Sequence, residues 1–507
     1  MRFWTFLRAL VMMRLFSPSG LRRLLLALRR DGVNILALLR VNAEINGDKT
    51  AVCDDREEIS YRQLAKEVEQ LTVIWQEHYR LGPNQRVGVI CQSHASLVRA
   101  VFSLTSAGAD VYLLNPEMQA NQLNELVERK GFDLFIADRS WSIISSSDKV
   151  VLGYEHSHLP SIEQLLKTKP EKRRRRAKSR MGKVVLLTGG TTGTPKEAGH
   201  QPSLFNYVQP FLTLLMKVKL HQYERTYIAT PLYHGYGVAV LFMGIVLGKT
   251  IFMREKFQTR SACELVRQQQ VEVITVVPLM LQKMLAEDGA SLQSLSCIVS
   301  GGARLHAELA KEVLQKLGPV LYNLYGTSEA GLITVATPDD LRYDPQTIGK
   351  PVGGRFKVVN SAGMPVNEGE TGQFCVKQSW SQKKGNKQWI ETGDIGYRDA
   401  KGFYFLCGRT DDLIISGGMN VYPIELEQVL MQHPLVKDVA VIGIDDPLFG
   451  QRLKAFIQLE RKKSLDQEKL TLWLRSKVAK YQMPKEVEFV DQLPYTAVGK
   501  LDKKILK

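Results

Sequence analysis

The sequence predicts an α/β fold with parallel sheets, divided into more than one domain. Three observations carry this. Short apolar runs alternate with helix-like patterns along most of the chain, which is how strand–helix–strand units with a parallel sheet read. At 507 residues the chain exceeds what one ordinary hydrophobic core encloses. Hydrophobic residues make up 44% and charged residues 24%, the balance of a soluble globular protein.

The formal charge is +16. That implies attraction to an anion: a nucleotide, CoA, nucleic acid or a phospholipid surface. Six cysteines are scattered (Cys53, Cys91, Cys263, Cys297, Cys375 and Cys407) and none sits in a C-x-x-C pair. They read as reduced, mostly buried thiols of a cytoplasmic protein. No apolar run reaches the roughly eighteen residues of a spanning helix.

Residues 1–40 are apolar and arginine-rich. Over Leu21–Arg30, Arg22, Arg23, Arg29 and Arg30 gather on one side of a helix. Leu21, Leu24, Leu25 and Leu28 gather on the other, and Asp31-Gly32 ends it. A basic amphipathic helix suits the interface of an anionic membrane, giving peripheral contact through residues 1–32. A helix packed on the body of the protein, with its arginines in solvent, is the other reading. Arginines interrupt the apolar run, which argues against a cleaved signal peptide.

The globular part is expected to begin near Asp48. Ser60 reads as the cap of a helix that follows a strand end at Ile59. Arg86–Ile90 reads as a strand, Leu97–Ala107 as a helix, and Asp110–Asn115 and Asp133–Ala137 as further strands. The arginine run 173–176 reads as a solvated linker, since blocks of like charge repel. Val184–Leu187 reads as a buried strand. It leads into Thr188, Gly189, Gly190, Thr191, Thr192, Gly193, Thr194, Pro195 and Lys196. Glycines let the backbone turn and approach a ligand. Successive N–H groups in such a turn form a concave anion site. The loop suits a polyphosphate, yet it has neither the Walker A nor the Gly-x-Gly-x-x-Gly spacing. The plain alternative is a strand and a glycine-rich turn.

Further on, His234 lies between aromatics and glycines, and Val238–Leu247 is apolar, as an apolar acyl pocket requires. Val273–Val277 reads as a strand closed by Pro278. Cys297–Ser300 runs into Gly301-Gly302-Ala303. Tyr325-Gly326-Thr327-Ser328-Glu329 follows, then Thr392-Gly393-Asp394. Gly408-Arg409-Thr410-Asp411-Asp412 precedes Gly417-Gly418, and Pro423 marks a helix start. Lys500 sits in a Pro/Gly loop near the end. Taken singly, such a histidine is usually structural and such a lysine is usually surface.

Together these stretches resemble the adenylate-forming superfamily of acyl-CoA synthetases, peptide-synthetase adenylation domains and luciferases. The resemblance covers roughly residues 45–507. It implies a large AMP-binding domain over 45–409 with a small distorted barrel, a hinge at 410–411, and a mobile α+β domain over 412–507. Residues 1–44 lie outside it. It implies a chemistry too: ATP-dependent conversion of a carboxylic acid, here a fatty acid, to acyl-AMP, then thioester formation with CoA. No role for nucleic acid follows.

By the same resemblance, Thr188, Gly190, Thr191, Thr192, Gly193 and Lys196 would cradle the phosphates. Gly302 and Ala303 would lie against adenine, with Tyr325 stacking on it and Gly326 beside it. Thr327 would contact phosphate, and Glu329 would hold Mg²⁺, a hard cation suited to one carboxylate plus phosphate oxygens. Asp394 and Arg409 would bind the ribose, and Asp411 would be the hinge. Gly417 and Gly418 would admit the pantetheine arm of CoA. His234 would orient the acyl carboxylate, and Lys500 would bridge that carboxylate and the α-phosphate. Tyr233-His234 offers no carboxylate for an α-amine, which disfavours an amino-acid substrate.

Two positions depart from the pattern. Gly189 replaces a Ser or Thr, and Glu197 replaces the usual Gly after the loop lysine, putting a carboxylate near the triphosphate. Glu197 and the basic runs leave open a catalytically impaired protein that binds anions or membranes; an acyl-AMP ligase loading a carrier protein is a further alternative.

Overall fold

The computed structural model describes residues 18–32, 35–139, 150–154, 159–168, 181–188, 196–200, 214–327, 330–377, 389–460, 463–496 and 501–506. Two compact units divide the chain: Met1–Val276 with Glu287–Ile298, and Val277–Ala286 with Val299–Lys507. The expected hinge at 410–411 lies inside the second unit.

The first unit begins with helices α1 (Pro18–Asp31) and α2 (Ile35–Ile45). Strands β1 (Thr50–Cys53) and β2 (Glu58–Ser60) lead into α3 (Tyr61–Glu77), whose first turn is capped by the Ser60 side chain accepting from Gln63 N. Next come β3 (Arg86–Ile90), α4 (Ala95–Ala107), β4 (Asp110–Leu113), β5 (Leu134–Ala137), β6 (Val150–Leu152), β7 (Val184–Thr188) and β8 (Lys196–His200). They form a six-stranded sheet in the order β6-β5-β3-β4-β7-β8, parallel except for the β7–β8 pair. Then β9 (Arg225–Ile228), α5 (Gly235–Val246), β10 (Thr250–Met253) and β11 (Val273–Val276) complete a second sheet in the order β2-β1-β10-β9-β11. There, only the β1–β2 pair is antiparallel.

The predicted parallel sheets are therefore present, because buried runs such as Val87–Ile90 and Leu134–Ala137 are apolar on both faces. Trp75 and Tyr61 of α3 are fully buried. Each keeps its polar atom bonded: Trp75 Nε1 donates to Ser103 Oγ (2.8 Å) and Tyr61 Oη donates to Lys249 O (2.8 Å). Buried Arg99 is held by both oxygens of Glu57 (2.5 and 2.6 Å) and by Glu67 (2.6 Å), so the charge taken from water is compensated.

The packed fold starts earlier than the expected boundary at residue 45. Leu36, Ala37, Leu39 and Val41 of α2 are buried, and Asn42 Nδ2 donates to the carbonyls of Ile245 (3.0 Å) and Val246 (3.1 Å), which end α5. The expected separation of leucine from arginine on α1 is also revised. Leu24, Ala27 and Leu28 pack on α2, whereas Leu21, Leu25 and Leu26 face outward.

Strand β12 (Cys297–Gly301), which enters the second unit at Val299, precedes α6 (Ala307–Lys316). Strands β13 (Leu321–Thr327), β14 (Gly331–Ala336), β15 (Thr347–Pro351), β16 (Arg355–Val359), β17 (Gly372–Lys377), β18 (Ile390–Arg398) and β19 (Tyr404–Arg409) pair antiparallel in the order β13-β14-β15-β19-β18-β17-β16. Among the described residues no pairing closes them into the expected barrel. The last segment adds β20 (Ile414–Ser416), β21 (Met419–Val421), α7 (Pro423–Leu430), β22 (Val436–Asp446), β23 (Gly450–Leu459) and β24 (Glu486–Phe489) around its own core of Ile414, Leu426, Val439 and Leu453. It is α+β, as expected.

Candidate functional site

In the second unit the strand register gathers residues that the sequence separates. Asp394 on β18 lies opposite Arg409 on β19. Arg409 Nη1 donates to Asp394 Oδ1 (3.1 Å), and its Nη2 donates to Asp411 Oδ2 (3.3 Å). A bulge after Tyr325 in the β13–β14 pairing breaks the alternation there. The Tyr325 hydroxyl donates to Asp394 Oδ2 (2.6 Å). Tyr325, Asp394, Arg409 and Asp411 thus form one connected group.

The Asp394 backbone is fixed as well. Its N–H donates to Thr392 Oγ1 (3.1 Å), and the Thr392 hydroxyl donates to Phe374 O (3.1 Å). Asp394 is only 7% exposed. Burial raises its carboxyl above the ordinary value, outweighing the lowering effects of Tyr325 and Arg409. Each carboxylate oxygen holds one partner and keeps a second lone pair. The group can therefore accept two further hydroxyl protons, the pattern a ribose offers.

Gly302 follows β12 with φ +80° and is exposed; an added Cβ would meet only Val277, at 3.7 Å. This is an open backbone shelf on which a flat ring can rest. Gly326 has a different cause: a Cβ there would come within 2.3 Å of Gly331 O, so the close approach of β13 and β14 requires glycine. Thr327 Oγ1 accepts from Ala330 N (3.1 Å) and keeps its own proton to donate.

Gly417 and Gly418 form the two-residue turn between β20 and β21, with φ of +58° and +80°. That turn accounts for both glycines. Asp411 is exposed in a short turn at Thr410–Asp412.

In the first unit, His234 occupies the cap position of α5, its ring 4.6 Å from that of Tyr233. An added Cβ at Gly235 would lie 3.0 Å from Leu186 Cδ1, so the start of α5 abuts β7, the strand that leads to the phosphate loop. Gly237 has no room for a side chain, with Pro231 O at 2.4 Å from a built Cβ. Burial pushes the Tyr233 hydroxyl up to about 12. The strand β7 ends at Thr188 and β8 starts at Lys196. Gly190, Thr191, Thr192, Gly193, Glu329 and Lys500 lie outside the described residues, as do the side chains of Thr188, Lys196 and Glu197.

Two side-chain groups escaped the sequence reading. Cys91, His94 and Asp138 meet at the ends of β3 and β5, a spacing that suggests a metal. The hydrogen bonds oppose one. His94 Nδ1 accepts from Leu97 N (3.2 Å), so the ring proton sits on Nε2 and is donated to Asp138 Oδ1 (2.7 Å). No ring lone pair is left for an ion. Burial works against ionisation of Asp138, yet His94 and the N–H of Gln92 hold its carboxyl below the ordinary value. The group caps α4.

The second group is Arg304 and His306, just after the Gly302 shelf. Arg304 Nη1 is buried without a hydrogen-bond partner, and burial lowers its guanidinium to about 10. Burial, with Arg304 beside it, lowers His306 to about 4 from 6.5. Unfolding lets His306 take up a proton. Its contribution is therefore complete above about pH 6.5 and lost as pH falls toward 4, on the order of 2–3 kcal/mol. His306→Asn should flatten this acid limb: melting curves at pH 4.5 and 7.5 should lie closer together in the variant than in the parent. An unchanged gap would place the acid sensitivity elsewhere.

Comparison with known proteins gives the family and the fold. The family model for AMP-binding enzymes matches residues 39–383, and that for the AMP-binding enzyme C-terminal domain matches 425–500. The 2-succinylbenzoate–CoA ligase of Geobacillus kaustophilus is 28% identical over 487 residues, covering 92% of this chain and 96% of the relative. The o-succinylbenzoate CoA synthetase of Bacillus subtilis, solved with its acyl-adenylate intermediate, superimposes with TM-score 0.80 at 25% identity over 93% of this chain and 97% of that one. An anthranilate CoA ligase solved with anthranoyl-AMP shares the fold, with TM-score 0.83 at 23% identity over 93% of this chain and 96% of its own. The chain belongs to the AMP-binding enzyme family.

Proposed function

We propose that this AMP-forming acid–thiol ligase joins an apolar monocarboxylic acid of the fatty class to CoA by way of an acyl-AMP. One observation carries the choice of acid. From Gly235 to Gly248, the helix after His234 and its end, no side chain is charged. The first cation, Lys249, is buried, and its Nζ donates to His221 O (3.1 Å) and Glu224 (3.5 Å). The relatives act on 2-succinylbenzoate, which carries two carboxylates. A second carboxylate against this helix would be desolvated without a partner, at a cost of several kcal/mol.

In this reading Asp394 accepts the ribose hydroxyls, held in place by Tyr325 and Arg409. Gly302 and Ala303 face adenine, the Thr327 hydroxyl donates to phosphate, and His234 orients the acid. Attack of a carboxylate on an α-phosphate brings two anions together, so catalysis is mainly positioning and charge stabilisation. Lys500 and the loop from Thr188 to Lys196 supply that stabilisation. Mg²⁺, held by Glu329, neutralises phosphate charge when bound. The CoA thiolate then displaces AMP. Movement about Asp411 withdraws Lys500 between the two steps, which is gating and not a faster chemical step. Peripheral contact of residues 1–32 with a membrane belongs to the same proposal, since apolar acids partition there.

A panel of C2–C18 fatty acids, aromatic acids and 2-succinylbenzoate, offered with ATP and CoA, tests the choice of acid. A medium or long fatty acid should exceed 2-succinylbenzoate in kcat/KM by roughly a hundredfold, the scale set by an unpaired buried charge. A preference for 2-succinylbenzoate would move the reading to the relatives' substrate. Supplying a phosphopantetheinyl carrier protein beside CoA decides the acceptor.

A further inference from the structure

The membrane part of the proposed function can be given a surface. We infer that the outer face of α1, formed by Leu21, Leu25, Leu26, Arg22 and Arg29, docks on an anionic phospholipid bilayer. This inference rests on that reading and specifies it.

Helix α1 is held to the body by one face only. Leu24, Ala27 and Leu28 pack against Ala37, Val41 and Ile45 of α2. Asp31, on the same stripe, is buried and accepts from Arg40 Nε (2.6 Å). Positions 24, 27, 28 and 31 share one side of a helix. Arg23 pairs with Glu44 (3.6 Å) and Arg30 pairs with Glu69, which fixes the helix further. Away from this stripe Leu25 at 60% and Leu26 at 53% exposure stand in solvent, and Leu21 at 38% lies at the flank next to Leu28. Arg22 and Arg29 are exposed beside them and make no ion pair among the described residues.

Charge selects the occupant. Residues 1–30 hold seven arginines and no Asp or Glu. A second copy in a two-fold contact would set this arginine-rich face against itself. Residues 1–17 hold three of these arginines and no acid, so they complement it no better. Nucleic acid would satisfy the arginines but leave the leucines against phosphate. An anionic bilayer satisfies both, taking leucines into the acyl boundary and arginines among the headgroups. The helix is about 21 Å long, so it lies in the interface, and no helix among the described residues is long and apolar enough to cross a membrane.

The test is co-sedimentation of the full chain with phosphatidylglycerol/phosphatidylcholine vesicles and with phosphatidylcholine alone, at low and high salt. The parent should pellet with the anionic vesicles only, and less so as salt rises. Arg22→Gln with Arg29→Gln should weaken binding about 25-fold, at roughly fivefold per arginine. Leu25→Ser with Leu26→Ser should weaken it at least about tenfold. Leu472→Ser, at an exposed leucine elsewhere in the chain (63%), should change nothing. All variants should keep acid-dependent pyrophosphate exchange with a soluble short acid, which separates docking from activity. If the parent stays in the supernatant with anionic vesicles at low salt, there is no membrane contact. If the parent binds and Leu25→Ser/Leu26→Ser binds equally well, a different surface docks. If that variant instead dissociates a dimer or lowers the melting temperature, a second copy or the chain itself covers the face. Each of these three results overturns the inference.

Discussion

Asp394→Ala should lower kcat/KM for ATP by about two to three orders of magnitude. The carboxylate would accept two hydroxyl protons, and each charge-assisted bond contributes about 1.5–3 kcal/mol. The variant should also lose about 1–3 kcal/mol of stability, because the partly buried Tyr325 hydroxyl loses its acceptor. That loss alone would mimic a binding defect, so the sugar must be varied too. The parent should discriminate strongly against 2′-deoxy-ATP and 3′-deoxy-ATP, and Asp394→Ala should treat both almost like ATP. Undiminished discrimination in the variant would mean that Asp394 holds the strand and not the ribose.

Lys500→Ala should block acyl-AMP formation by about a thousandfold or more, the scale of removing one charge from a developing anion in a dry site. Thioester formation from supplied acyl-AMP should be retained within a few fold. The split follows from the proposed hinge: Lys500 would be engaged in the first step and withdrawn in the second. It is measured by pyrophosphate exchange for one half and by acyl-CoA release from synthetic acyl-AMP for the other. Equal loss of both halves would contradict the alternation about Asp411.

What the sequence made legible was local. The strand Arg86–Ile90, the Ser60 cap and the helix start at Pro423 all stand where the pattern puts them. Each is set by neighbours a few residues away: a run of apolar residues, a hydroxyl three residues before an amide, a missing N–H. What stayed hidden depends on register between distant segments. The pairing of β3 with β5 brings Asp138 to His94, and no local pattern encodes that. The leucines of α1 look equivalent on a helical wheel, and only the position of α2 sorts packed from exposed.

The candidate site shows the same division. Asp394, Arg409 and Asp411 could be singled out by resemblance, but the bond from Tyr325 to Asp394 joins strands 69 residues apart in sequence. Gly417 and Gly418 illustrate the reverse: their hairpin turn suffices to explain them, so a role toward CoA rests on the family resemblance. The burial of Arg304 Nη1 without a partner emerges only from packing.

The most direct test of the account is acid-dependent exchange of labelled pyrophosphate into ATP in the absence of CoA. The account predicts exchange with an apolar monocarboxylic acid, little or none without acid, and its near disappearance in Asp394→Ala. Release of ADP and phosphate in place of AMP and pyrophosphate, or no exchange with any acid of the panel by a protein that binds ATP, would contradict it.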